Sequence, residues 1–427
     1  MNNKLLSLFL RVISKLKAFW EEKTFRFAVL AQISYVTLSI ILFFLFFSDK
    51  NDFLIFYESS KIFLTDIENL YNQANYVWDF RYFPLSSLLF IPFSVIDFRL
   101  AYIAFNCFNF FLNLIICLLM YKIIKLVRGK DHEKDDKRVI FYLSIYLMGV
   151  PHILNYVYGQ INLIITFFII LSLFIYLKYK KKLWQFLGSI ILGISIIIKP
   201  TSLLLIPFVL MVNLDLSKRK LKIDFFSSII RLIGVILPVL SNFVLFAMFP
   251  KLWGGFLSTN FTGSNPIALN FSFSLTKLIT NFCFHFNIPF NQLSILIASV
   301  GIIGGLGFCI FILRRRNENS ILYGYSLGML IMLLTYYDSW NHHLLNLVPL
   351  IVLILFNLPR HSNLLNYIKP SLFFFNFFDI IFVGIWFFTY PLFPFNFVGT
   401  FFLFVTFYAI SKYLITKKLE RIKGGNS

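Results

Sequence analysis

Residues 184–213 read WQFLGSIILGISIIIKPTSLLLIPFVLMVN, and Lys199 is the only charged side chain in that run. No surface of a water-soluble domain can be built from such a stretch. It is long enough to cross a bilayer, which takes roughly 20 apolar residues as a helix. Lys199-Pro200 divides it into two apolar halves, because proline withholds a backbone donor and favours the start of a helix over its interior. The expected form is a pair of spans meeting at a polar joint.

The rest of the chain repeats this pattern. Of 427 residues, 59% are hydrophobic, 20% aromatic and only 14% charged, where a soluble domain carries about 25% charged side chains. The solvent for most of the surface is therefore lipid. A net charge of +20 would suggest nucleic acid in a soluble protein. Here the basic residues sit in short clusters between apolar runs: Lys15 to Lys23, Lys122 to Arg138, Lys178 to Lys182, Lys218 to Lys222, Arg314 to Arg316 and Lys417 to Lys423. No fold gathers them into one stripe, which excludes a nucleic-acid partner. They mark loops on the cytoplasmic side of a membrane.

Apolar runs occupy 27–47, 100–124, 139–153, 161–178, 184–198, 200–213, 228–249, 290–313, 321–337, 343–357, 371–390 and 397–415, about twelve spans by hydropathy. The first reads as a retained signal anchor, since no small-residue cleavage site follows it. Placing both termini inside puts every basic cluster on the cytoplasmic face, provided that 84–97 lies on the outer leaflet as an interfacial helix. The fold class is then an all-α polytopic membrane protein, one membrane domain over 1–427, with a long first external loop at 48–99 and a basic tail at 416–427. The four cysteines Cys107, Cys117, Cys283 and Cys309 have no metal-site or redox spacing, so neither a disulfide nor a metal site is expected.

Polar residues at the edge of a membrane are costly and mark function by default. Four places stand out, all on the expected outer face. Asp52 follows the first span in Asp49-Lys50-Asn51-Asp52, where lost hydration would raise its pKa and make it a better base for a hydroxyl; it would equally serve as a helix cap. Arg81-Tyr82-Phe83-Pro84 forms an aromatic-rich loop suited to a sugar ring or to anchoring in the interface. Lys199 would meet an anion or snorkel to the headgroups. His342 and His343 sit beside Asp338 and Trp340; adjacent histidines on a helix point about 100° apart, which favours contact with a phosphate or sugar over a metal. Gln160 and Asn162 add a polar notch after Gly159. Walker A, GxGxxG and HExxH signatures are absent, which removes support for ATP-driven transport, Rossmann-fold chemistry and zinc proteolysis.

The ordered set of Phe80-Arg81-Tyr82-Phe83-Pro84-Leu85, Tyr158-Gly159-Gln160-Ile161-Asn162, Ile198-Lys199-Pro200 and Ser339-Trp340-Asn341-His342-His343 resembles the GT-C glycosyltransferases. It is most similar to glycosyltransferase family 87, the polyprenol-phosphate-mannose-dependent α-mannosyltransferases, over roughly residues 25–360. The resemblance implies a GT-C-like bundle in the plasma membrane with an external active site. It implies a polyprenyl-phosphate-linked sugar donor, a glycolipid or glycan acceptor, inversion at the anomeric carbon, and no cofactor. Asp52 takes the place of the catalytic base, with Asp49 as a competitor. Arg81, Tyr82, Gln160, Asn162, Lys199, Trp340, His342 and His343 would surround the donor phosphate and sugar. Ala268-Leu269-Asn270-Phe271-Ser272 stands where members carry an Asn-Gln-Ser segment and is expected to shape the acceptor site. The alternative reading is a flippase or transporter of lipid-linked saccharides, which should show internal repeats and midplane polar residues; the polar residues here gather at one face.

Overall fold

The computed structural model describes residues 19–129, 136–215, 220–261, 272–316, 318–388 and 397–416. The basic N-terminal stretch before Phe19, the tail after Thr416 and Ala268 to Phe271 lie outside the described residues.

The chain is almost entirely helical. Its first helix, α1 (Lys23–Phe47), ends in a π turn over Phe43–Phe47. Asn51 then reverses the chain alone: its amide donates to the Phe47 carbonyl at 2.8 Å and its oxygen accepts from Leu54 N–H at 3.0 Å. One side chain thus satisfies the end of one helix and the start of the next, opening α2 (Asp52–Thr65). The long α3 (Phe98–Arg128) follows, then α4 (Asp136–Leu147) and α5 (Pro151–Val157), bent by 43° at their break. The hairpin α6 (Asn162–Lys178) and α7 (Lys182–Ile198) comes next. After it run α8 (Phe225–Met248), α9 (Pro250–Phe261), α10 (Leu275–His285) and α11 (Gln292–Ile312). The chain closes with α12 (Ser320–Thr335), α13 (Leu344–Asn357), α14 (Leu365–Phe373), α15 (Asp379–Phe388) and α16 (Val398–Ile415).

Five helices among the described residues are long and apolar enough to cross a membrane, and six if α4 and α5 form one bent span. Shorter apolar helices, among them α6, α7, α12 and α13, fill the space between them. The hairpin of α12 and α13 is the axis of the bundle: every residue from Leu322 to Thr335 and from Leu344 to Phe356 is buried. By contrast α1 and α8 expose Phe27, Leu30, Phe46, Phe225, Val244 and Met248, as lipid-facing helices do.

The 84–97 segment is helical from Pro84 to Ser94, 3₁₀ over Pro84–Phe90 and one α-turn over Ile91–Ser94, after which Asp97 caps α3. One local expectation is corrected: the apolar run 200–213 is not a span-long helix. A 3₁₀ segment Pro200–Leu205 and one turn over Ile206–Val209 lead into β1 (Val212–Asp215), which pairs antiparallel with β2 (Lys220–Ile223). Pro207 and the β-branched Val209 and Val212 shorten the helix there.

Polar groups join the apolar helices. Gln32 of α1 accepts from Asn113 of α3 at 3.1 Å and from the Tyr156 hydroxyl of α5 at 2.6 Å, and its own amide donates to the Leu147 carbonyl. In lipid such bonds replace the hydrophobic drive that holds soluble helices together. Helices α7 and α8 approach closely at two glycines. A Cβ added at Gly193 would stand 2.4 Å from the Val235 carbonyl, and one at Gly234 would stand 2.6 Å from Ser189 Cβ. We expect Gly193→Leu to cost about 1–3 kcal/mol by overpacking, read as a lower melting temperature in detergent, while Gly254→Ala, where nothing lies within 4 Å, leaves it unchanged.

Candidate functional site

Four helix joints converge at one end of the bundle: Asn51-Asp52 between α1 and α2, Tyr158 to Ile161 between α5 and α6, Lys199 after α7, and Tyr336 to His343 between α12 and α13. The loop 79–83 closes over them. Glycine makes the first approach feasible. Gly159 has φ +63°, a left-handed conformation that L side chains adopt at a cost. A Cβ at that position would stand 2.5 Å from Phe53 Cβ. With no Cβ present, the N-terminus of α2 docks on the joint and Asp52 N–H donates to the Tyr158 carbonyl at 2.9 Å. The rings of Phe53 and Phe56 then stack on Phe105 and Phe90, both with centroids 4.6 Å apart, locking α2 against α3 and the 84–94 segment.

Lys199 sits in the break between α7 and the Pro200 segment, 6% exposed. Its ammonium reaches Asn162 Oδ1 at 3.1 Å and His343 Nε2 at 2.8 Å. Both contacts are neutral groups. Asp52 and Asp338 act on it only through their fields, and burial outweighs them, lowering the ammonium pKa to about 7. The counterpart is Asp52, whose half-buried carboxyl is pushed up to about 6 by burial, with Lys199 pulling the other way. A carboxyl group and an ammonium thus act on one another in a poorly hydrated site, each shifted toward its neutral form by the loss of water. Asp49, by contrast, is exposed on the turn after α1.

The remaining expected residues divide. His343 lies between two groups, its Nε2 2.8 Å from Lys199 Nζ and its Nδ1 3.2 Å from Trp340 N–H; a neutral imidazole accepts at one nitrogen only, so its tautomer selects which of the two donates to it. His342 is buried, its ring 4.5 Å from that of His343 and 5.8 Å from that of Trp340, which is 38% exposed. Asn162 holds Lys199 directly. Tyr82 packs against Phe56 at 4.8 Å, and its carbonyl accepts from the Tyr71 hydroxyl at 2.6 Å. Its phenol is raised by burial and by the field of Asp52, which places the two in one neighbourhood. Arg81 pairs with Asp79 at 3.7 Å and contributes charge at Tyr82. Gln160 is buried, but its backbone makes the turn with Asn155 while its side-chain oxygen has no partner. Of the Ala268 to Ser272 segment only Ser272 is described, buried beside Ser274 at 3.2 Å.

Sequence reasoning missed Lys277. It is buried on the first turn of α10, and burial lowers its pKa while the field of Asp338 opposes the change. A lone lysine in a segment without other cations was the available signal. Asp338 therefore answers to two buried ammonium groups, Lys199 and Lys277.

In chemical terms the site offers a base, a cation free of any contact carboxylate among the described residues, and an aromatic rim. We expect Gly159→Ala to cost about 1–3 kcal/mol through backbone strain and to displace α2. The measurement is the melting temperature together with proteolysis of the 48–99 loop, which should accelerate.

The family model for glycosyltransferase family 87 matches residues 80–336, more than half of the chain. The match spans Arg81, Tyr82, Gln160, Asn162 and Lys199, begins after Asp52 and ends before Trp340. No curated protein matches the chain.

Proposed function

Because the chain belongs to glycosyltransferase family 87, we propose that it moves a hexose, most consistent with mannose, from a polyprenyl-phosphate carrier to a glycolipid or glycan acceptor at the outer face of the plasma membrane. The entire chain acts as one membrane unit of about twelve spans with both termini in the cytoplasm. The observation that carries this reading is that Asp52 and Lys199 lie within each other's field in one dehydrated site, at the end of the bundle away from the basic clusters Lys178 to Lys182 and Arg314 to Arg316.

The reaction is a direct displacement. The acceptor hydroxyl attacks the anomeric carbon, the bond from that carbon to the phosphate oxygen breaks with inversion, and polyprenyl phosphate leaves. Asp52 takes the acceptor proton. Lys199, with help from Arg81 or His343, steadies the charge that grows on the departing phosphate, where fixed positive charge in a site without bulk water has its largest effect. Asn162 orients Lys199. Tyr82, Trp340 and His342 flank the sugar, and Gln160 shapes the turn that brings Asn162 to the site.

The test is transfer from radiolabelled polyprenyl-phosphate-mannose to a native lipid extract by purified protein in nanodiscs. Asp52→Asn should lower the rate about 10²–10⁴-fold, the range of a lost general base, with folding intact. Undiminished transfer by Asp52→Asn would remove Asp52 from this role, and translocation of the lipid without transfer would favour a flippase.

A pH profile follows from the two shifts. The base works ionised, so kcat/KM falls as pH drops through about 6, where Asp52 takes up its proton. The phosphate contact works protonated, so kcat/KM also falls as pH rises through about 7, where Lys199 in the free enzyme loses its proton. The expected outcome is a narrow bell. Lys199→Met should remove the alkaline limb and cut the rate about 10²–10³-fold; an alkaline limb unchanged in Lys199→Met would assign it to another group.

A further inference from the structure

At the opposite end of the bundle, about 25 Å along α6 from Asn162 by helix rise, two adjoining cavities of about 150 and about 190 Å³ share Tyr176, Lys180, Met211 and Arg231. The first is also lined by Arg314 and by the start of α12 at Asn319, Ser320 and Ile321. We propose that this pocket binds a phosphate group, supplied by the headgroup of an anionic membrane lipid.

Three independent features build the site. Arg231 and Arg314 are each 8% exposed. Arg231 donates to the Val209 carbonyl at 2.9 Å and to Gln185, and lies 4.6 Å over the Tyr176 ring. Arg314 donates to the carbonyls of Val212 at 2.8 Å and Phe311 at 2.6 Å. These contacts fix both guanidinium groups at the lining of the cavity. Secondly, α12 begins at the cavity with no side chain capping it. Its first N–H groups and the positive end of its dipole face the same space, the arrangement by which helix N-termini hold phosphate. Thirdly, Lys180 is exposed at the mouth and supplies a mobile charge. One carboxylate, Asp224, lines the second cavity beside Lys182 and caps α8 through Ser227 N–H at 3.0 Å; the charged residues lining the first cavity are all cations.

The mouth explains why the phosphate should arrive on a lipid. Leu183, Phe225 and Phe226 beside it are 66%, 70% and 57% exposed, an apolar rim against which acyl chains can lie while the headgroup enters the pocket. Basic pockets between membrane helices recognise anionic headgroups in this way.

Native mass spectrometry of the full chain in a neutral detergent tests the assignment, with dioleoylphosphatidylglycerol and dioleoylphosphatidylcholine as probes. The native protein should retain the anionic lipid in preference to the zwitterionic one. Arg314→Gln should weaken phosphatidylglycerol binding about tenfold, the order expected for one charge-assisted bond. Lys180→Gln, at an exposed position that leaves folding intact, should weaken it about threefold. Lys125→Gln, in a different basic cluster, should leave it unchanged. Displacement by millimolar inorganic phosphate would show that the site reads the phosphate alone; retention would show that the acyl chains are needed too. Equal phosphatidylglycerol binding by native protein and by Lys180→Gln overturns the proposal even if Arg314→Gln fails to fold, and leaves the two arginines as clamps on backbone carbonyls only.

Discussion

An ammonium group held away from water, with two neutral partners and its carboxylates at a distance, is the constraint around which one end of this molecule is organised. Removing a charge from water costs several kcal/mol even after the protein relaxes. Lys199 recovers part of that through Asn162 and His343, and part through the fields of Asp52 and Asp338. Those groups come from three different joints, His343 and Asp338 sharing the one between α12 and α13. To bring them within reach, α5 and α6 must meet at a left-handed glycine, α2 must start at Asn51, and α12 and α13 must turn between Tyr336 and His343. The arrangement leaves a cation with spare bonding capacity, which is what a phosphate requires.

The bundle supports this by burying its central hairpin completely. Residues Leu344 to Phe356 of α13 touch neither lipid nor water, so the joint that carries His342 and His343 is anchored on the most enclosed part of the fold. Trp340 and Arg81 remain accessible at the rim. The two ends of the bundle also divide the charge. Carboxylates and buried lysines gather where helices α6 and α13 begin, whereas guanidiniums gather where α6 and α11 end. The second set lines one cavity beside the start of α12.

Legibility in the sequence followed physical range. The apolar runs were readable because hydropathy is a local property, and most helix bounds fall within a few residues of them. The 200–213 segment was misread because composition records how apolar a stretch is, not whether prolines and β-branched residues let it complete a helix. Within the site, Asp52, Lys199, Asn162 and His343 were recognisable as polar groups in costly places. The cap read onto Asp52 belongs to Asn51, which sets the start of α2, and Gly159 drew no reading of its own, although it admits Phe53 at a distance no other residue allows.

Sequence alone determined that this is a helical membrane protein, which residues are expensive to bury, and where its basic clusters fall, since each follows from side-chain chemistry and spacing along the chain. Tertiary structure alone decided which of the polar residues meet. Asp52 rather than Asp49 faces Lys199, Lys277 shares Asp338, and Arg231 and Arg314 line one cavity. Those outcomes depend on helix rotation, on the close approach that a missing Cβ permits, and on packing between segments more than a hundred residues apart, none of which a linear pattern encodes.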